Sequence, residues 1–230
     1  MGRVAYLLVG ALLVLTLGGC GADEPSGTTT GTTPDVRERL AAGLAAVGAD
    51  AELVEMKSTS LTPVGAAWLS GWQVIDVEAH WENDPVRFYA ALSDDGTAVV
   101  LSGSPDAFAE MARNAQVVID DTATAVEVGS LYLDVTRDFY RYSYRIDTMS
   151  DIKWPKLTST ETQRVAELDA QYGEIVQPPT AEPSDTGWSV LAWMIHDRTL
   201  VRHDLNITAD GYVQDSQEVV ATNLPLPQSP

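Results

Sequence analysis

The chain of 230 residues has one cysteine, Cys20, and so cannot close an intrachain disulfide. Its stability must come from buried apolar side chains, of which six Trp and eight Tyr are the largest contributors. Basic residues are also scarce: 14 Lys and Arg stand against 33 Asp and Glu, a formal charge of -19. Such a field repels phosphate backbones and anionic headgroups, which argues against general nucleic-acid binding and against a polybasic membrane contact.

Histidine is sparse. His80, His196 and His203 show neither HExxH nor any other close ligand spacing, so the sequence predicts no metal site and no cofactor. If a turn near Asp197 and Arg198 joins two strands, His196 and His203 share a face but lie several residues apart along it, too far for one metal. There is no GxSxG and no Gly-rich phosphate loop, and "SDIK" (Ser150 to Lys153) is an SxxK without its companion motifs. The acidic pairs Asp94-Asp95 and Asp120-Asp121, and the run Glu82-Asn83-Asp84, fall where turns or caps are expected, and no EF-hand loop is present.

The apolar run "VAYLLVGALLVLTL", residues 4–17, is shorter than the ~20 residues of a spanning helix. It follows Arg3 and precedes two glycines, which is the pattern of a secretory signal. The adjoining "LGGC", Leu17 to Cys20, resembles the lipobox of bacterial prolipoproteins, and the resemblance covers residues 1 to about 22. It implies that Cys20 takes a diacylglycerol and becomes the first residue of the mature protein. Two acyl chains suffice for stable anchoring, so the resemblance also implies a place at the cell membrane on its extracytoplasmic face. Residues 21–34 are rich in Gly, Thr, Ser and Pro and lack an apolar face, so they read as a disordered tether.

The expected organisation is therefore a signal at 1–19, lipidated Cys20 and tether to 34, one α+β domain over 35–223, and a tail at 224–230. "PDVRERLAAGLAAVG" reads as a helix with Asp35 and Glu38 in capping-box spacing and a stripe of Val36, Leu40, Leu44 and Val47. From "AELVEMK" to "AVVLSG" the pattern is extended, with a hairpin at Asp94-Asp95-Gly96. Helices are expected at "SPDAFAEMARNA", capped by Ser104, at "TATAVEVGSLYLDVTRDF", where Leu131, Leu133 and Val135 also alternate as a strand would but the Asp cap and the length favour helix, and at "TSTETQRVAELDAQYG", where Thr158 and Glu161 form a capping box. "QPPTAEPSD" reads as a loop and "WSVLAWMI" as a strand buried on both sides, followed by a hairpin turning at Ala209-Asp210-Gly211. Helices packed on a mainly antiparallel sheet follow.

Arg137, Arg141 and Arg145 recur every four residues, a spacing that keeps them on one face of either a strand or a helix. They form either a local anion or partner site, or internal ion pairs with Asp134, Asp138 or Asp147 while Tyr140, Tyr142 and Tyr144 fill the core. With no catalytic motif, the expected function is a lipid-anchored, non-enzymatic module that binds an envelope protein or a small anionic ligand. The alternative is an anchored hydrolase whose site residues are scattered along the chain.

Overall fold

A computed structural model describes residues 35–49, 51–81 and 84–227. The expected signal, Cys20 and the segment up to Pro34 lie outside these residues, as do Glu82 and Asn83. Strands β1 (Ser60–Val64), β2 (Trp72–Trp81), β3 (Asp84–Ser93) and β4 (Ala98–Val100) form an antiparallel sheet in chain order. Side chains alternate across a strand, so Ile75 and Val77 face one way and Val74 the other. The first pair, with Ala90 and Leu92, buries Leu40 and Leu44 of helix α1 (Val36–Ala46) and Val54 of α2 (Ala51–Glu55). Gly43 permits this close approach: a Cβ there would stand 2.6 Å from the Ala98 Cβ and from the Gly96 carbonyl oxygen.

The second sheet is built on β7 (Gly187–His196), with β8 (Thr199–Thr208) and then β9 (Val213–Ala221) on one side. The other edge of β7 is shared: β6 (Thr180–Ser184) pairs with residues 187–191, and β5 (Ser143–Ile146) with residues 193–196. Val190, Ala192 and Met194 point into a core that also takes Val74 and Ala91 of the first sheet. Helices α3 (Pro105–Asn114) and α4 (Thr122–Val135) contribute Phe108, Met111, Val128 and Tyr132 to it. Trp193, Ile195 and Leu200 point the opposite way, against Ile146, Leu168 of helix α5 (Ser159–Tyr172), Leu224 and Leu226. The architecture is α+β and mainly antiparallel, as the sequence patterns indicate, but the strands divide into two sheets rather than one, and the strand at "WSVLAWMI" is buried on both faces. Leu224 and Leu226, in the segment read as a tail, pack in this last core.

Local expectations fare unevenly. Ser104 caps α3 by accepting from the Ala107 N–H at 3.3 Å, and Thr158 and Glu161 close the reciprocal capping box of α5. Asp35 does occupy the N-cap of α1, but its side chain makes no capping hydrogen bond, so the expected box is absent. Of the α1 stripe, Leu40 and Leu44 are buried while Val47 is 58% exposed, because the small residues Ala41 and Gly43 bring only the middle of the helix onto the sheet. Residues 51–55 form a helix rather than a strand. The Arg37 guanidinium donates to the carbonyl oxygens of Val54, Met56 and Thr59, satisfying groups that a helix end leaves unpaired. Residues 180–184, expected in a loop, form β6; Pro183 is tolerated because the strand lies at an edge.

Candidate functional site

The β7–β8 hairpin turns through Asp197 and Arg198, and Asp197 has a φ of 52°, a left-handed value that Asp adopts more readily than most residues. Its register pairs Met194 with Val201 and Ala192 with His203, which puts Met194, His196 and His203 on one face of the sheet. On β9, Asp215 stands opposite Leu205 and Gln217 opposite His203, so both join that face. The C-terminal end of α4 and the loop after it cover this end of the sheet. A cavity of about 570 Å³ lies between them, lined among others by Arg137, Arg141, His196, His203, Tyr212 and Asp215.

His203 is 1% exposed. Its Nδ1 lies 3.0 Å from each carboxylate oxygen of Asp215, and Oδ2 of that carboxylate also accepts from Gln217 Nε2 at 2.9 Å. A carboxylate only accepts, so Nδ1 carries the proton and, in the neutral ring, Nε2 keeps a lone pair. That Nε2 is buried and has no hydrogen-bond partner, and the same holds for Nε2 of His196. The two imidazole centres are 5.2 Å apart, with planes inclined at 49°. This corrects the expectation that the histidines stay separate: register fixes the face they share, and the reach of the rings closes the distance along it. Burial, then the neighbouring His203, hold the His196 pKa below its ordinary value, with Arg141 adding to the effect and Asp215 and Asp197 opposing it. Among the described residues no three of His, Cys, Asp and Glu converge in a way that could hold a metal ion.

The three arginines separate. Arg137 follows the end of α4, where the carbonyls of Thr136 and Arg137 accept from the Gly103 N–H. Its guanidinium donates to the Ser143 carbonyl and stands 4.6 Å over the Phe139 ring, while its Nε is buried without a partner. Arg141 is exposed at the cavity and makes no ion pair among the described residues. Arg145 is not in the cavity lining; it pairs with Asp134 at 3.7 Å and with Asp147. Of the three tyrosines read as core residues, Tyr140 is 95% exposed, because it sits in the loop before β5 rather than in the strand. Tyr142 and Tyr144 stack edge to face at 5.3 Å.

The site thus joins two arginines from one loop to a carboxylate-oriented histidine and a second, neutral one from the sheet. Tyr132 in its wall is pushed up to about 12 by burial, so its hydroxyl stays protonated at neutral pH. Sequence reading missed Asp215 and the coupling of His196 to His203. One signal was present: His203 breaks the apolar series Val201, Leu205, Ile207 at every second position, which marks a polar group on a buried face. Such an arrangement can hold an anionic group at the guanidinium side and accept a hydrogen bond at His203 Nε2. Compared with family models, curated proteins and solved structures, the chain matches none.

Proposed function

We propose that the protein is a lipid-anchored extracytoplasmic module that binds a small anionic ligand in the cavity between the α4–β5 loop and the second sheet. One observation carries the reading: Nε of Arg137 and Nε2 of both His196 and His203 are buried without partners, and all three side chains line the same cavity. A buried polar group left unpaired costs about 1–3 kcal/mol, and a bound ligand that pairs it recovers that energy. Arg141 supplies an exposed cation beside them. The anchor rests on residues 4–20 of the sequence; among the described residues no helix is long and apolar enough to cross a membrane.

Hydrolysis is the second reading, and the Asp215–His203 pair favours it, since a carboxylate-held imidazole is a competent general base. A nucleophile triad needs a hydroxyl or thiol on the free ring nitrogen. His203 Nε2 has no such partner, which supports binding over covalent catalysis.

Thermal melts of the protein with acetate, phosphate, citrate and gluconate test the binding reading. At least one should raise the melting temperature with concentration, by ligand linkage. An Arg141→Gln, His203→Phe double variant should abolish the rise; an undiminished rise would place the ligand elsewhere. Mass spectrometry of the N-terminal peptide tests the anchor: a diacylglyceryl adduct on Cys20 is expected, and an unmodified thiol in membrane-extracted protein rejects it.

A further inference from the structure

Deepening the proposed binding reading, on which it rests, we propose that the ligand is a small polyhydroxylated anion, with its acidic group at Arg141 and a hydroxyl donated to Nε2 of His203.

The charges in the cavity are largely committed. Asp215 is held by His203 and Gln217, Asp138 accepts from the Tyr140 N–H at 2.9 Å, and Arg137 is engaged by the Ser143 carbonyl and the Phe139 ring. The guanidinium of Arg141 is exposed and makes no ion pair among the described residues, and it suits one carboxylate or one phosphate. The sheet side of the cavity asks for a different partner. In the neutral ring, with its proton held at Nδ1 by Asp215, His203 presents an acceptor at Nε2, which attracts a hydroxyl and repels a second anionic oxygen. The remaining wall also suits hydroxyls: Gln214 and Gln217 offer amides that can donate and accept, and Tyr212, 52% exposed, offers an aromatic face. A cavity of about 570 Å³ has room for a molecule of six or seven carbons that reaches from the loop to the sheet.

Four probes of one carbon count separate the contributions: glucose carries hydroxyls only, hexanoate the anion only, and gluconate and glucose 6-phosphate both. Isothermal titration of the protein should give gluconate or glucose 6-phosphate at least tenfold tighter binding than glucose or hexanoate, and whichever of the two is tighter identifies the acidic group. His203→Phe should reduce the tighter probe to the level of hexanoate, and Arg141→Gln should reduce it to the level of glucose. If His203→Phe does not fold, His203→Asn, whose amide can still donate to Asp215 but stops short of the Nε2 position, takes its place. Equal binding of gluconate and hexanoate overturns the hydroxyl assignment and leaves the anion-binding reading standing. Failure of all four probes at millimolar concentration counts against both.

Discussion

Asp215 accepts the Nδ1 proton of His203 on both of its carboxylate oxygens, each 3.0 Å from the nitrogen, at a ring that is 1% exposed. Removing the acceptor leaves a buried donor unpaired. Asp215→Ala should therefore lower stability by about 1–3 kcal/mol in urea melts. A change below ~0.5 kcal/mol, the range of ordinary surface substitutions, would mean that the pair does not hold the ring.

His196 makes stability depend on pH. In the unfolded chain it titrates near 6.5, and burial beside His203 lowers its pKa in the fold. Between the two values the unfolded chain binds more protons, so stability rises with pH across that interval. The contribution is fully present above 6.5 and is lost as pH falls through the folded pKa. Its immediate electrostatic surroundings are His203, Asp215, Asp197 and Arg141. Urea melts from pH 8 to pH 5 should show the decline in the wild type and a flatter curve in His196→Asn; parallel curves would reject the assignment.

The arginines should respond differently to loss of charge. Arg141 makes no ion pair among the described residues, so Arg141→Gln should leave stability within ~0.5 kcal/mol. Arg145 joins Asp134 and Asp147, both partly exposed, and Arg145→Gln should cost no more than ~1 kcal/mol. Ligand-induced stabilisation should drop with Arg141→Gln and persist with Arg145→Gln. The reverse pattern would move the anion site to the β5 strand.

Gly43 offers a test in which two effects have opposite signs. In an exposed helix interior, glycine to alanine stabilises by about 1 kcal/mol. Here the added methyl meets the Gly96 carbonyl oxygen and the Ala98 Cβ, so Gly43→Ala should instead destabilise by about 1–3 kcal/mol. A stabilised variant would show that α1 does not press on the β3–β4 hairpin.

Elements whose determinants are local were legible in the sequence: the caps at Ser104 and Thr158, the Asp-Asp-Gly turn after β3, and the doubly buried β7. Those held by distant groups were not. Helix α2 is closed by Arg37, which lies 17 residues or more from the carbonyls it binds, and β6 exists because the edge of β7 accepts a Pro-containing segment. In the site, strand periodicity gave the shared face of His196 and His203 but carried no information about the lean of their rings or about Asp215, which arrives from β9. The arginine spacing named two residues that reach the cavity and one that does not, because the three belong to a loop and a strand rather than to one element.

The division of the β7 edge between β5 and β6 bears on how the protein opens. Residues 147–179, which carry α5, leave along one half of that edge and return along the other, so their detachment breaks no pairing among β7, β8 and β9. On α5 only Leu168 is buried, against seven residues on α4. Amide protons of α5 should therefore exchange with solvent through a partial opening of low free energy, while those of α4 wait for global unfolding. The excursion should open as a unit that exposes the core it shares with Trp193, Ile195 and Leu200, and a protease should nick it while β7, β8 and β9 are still paired.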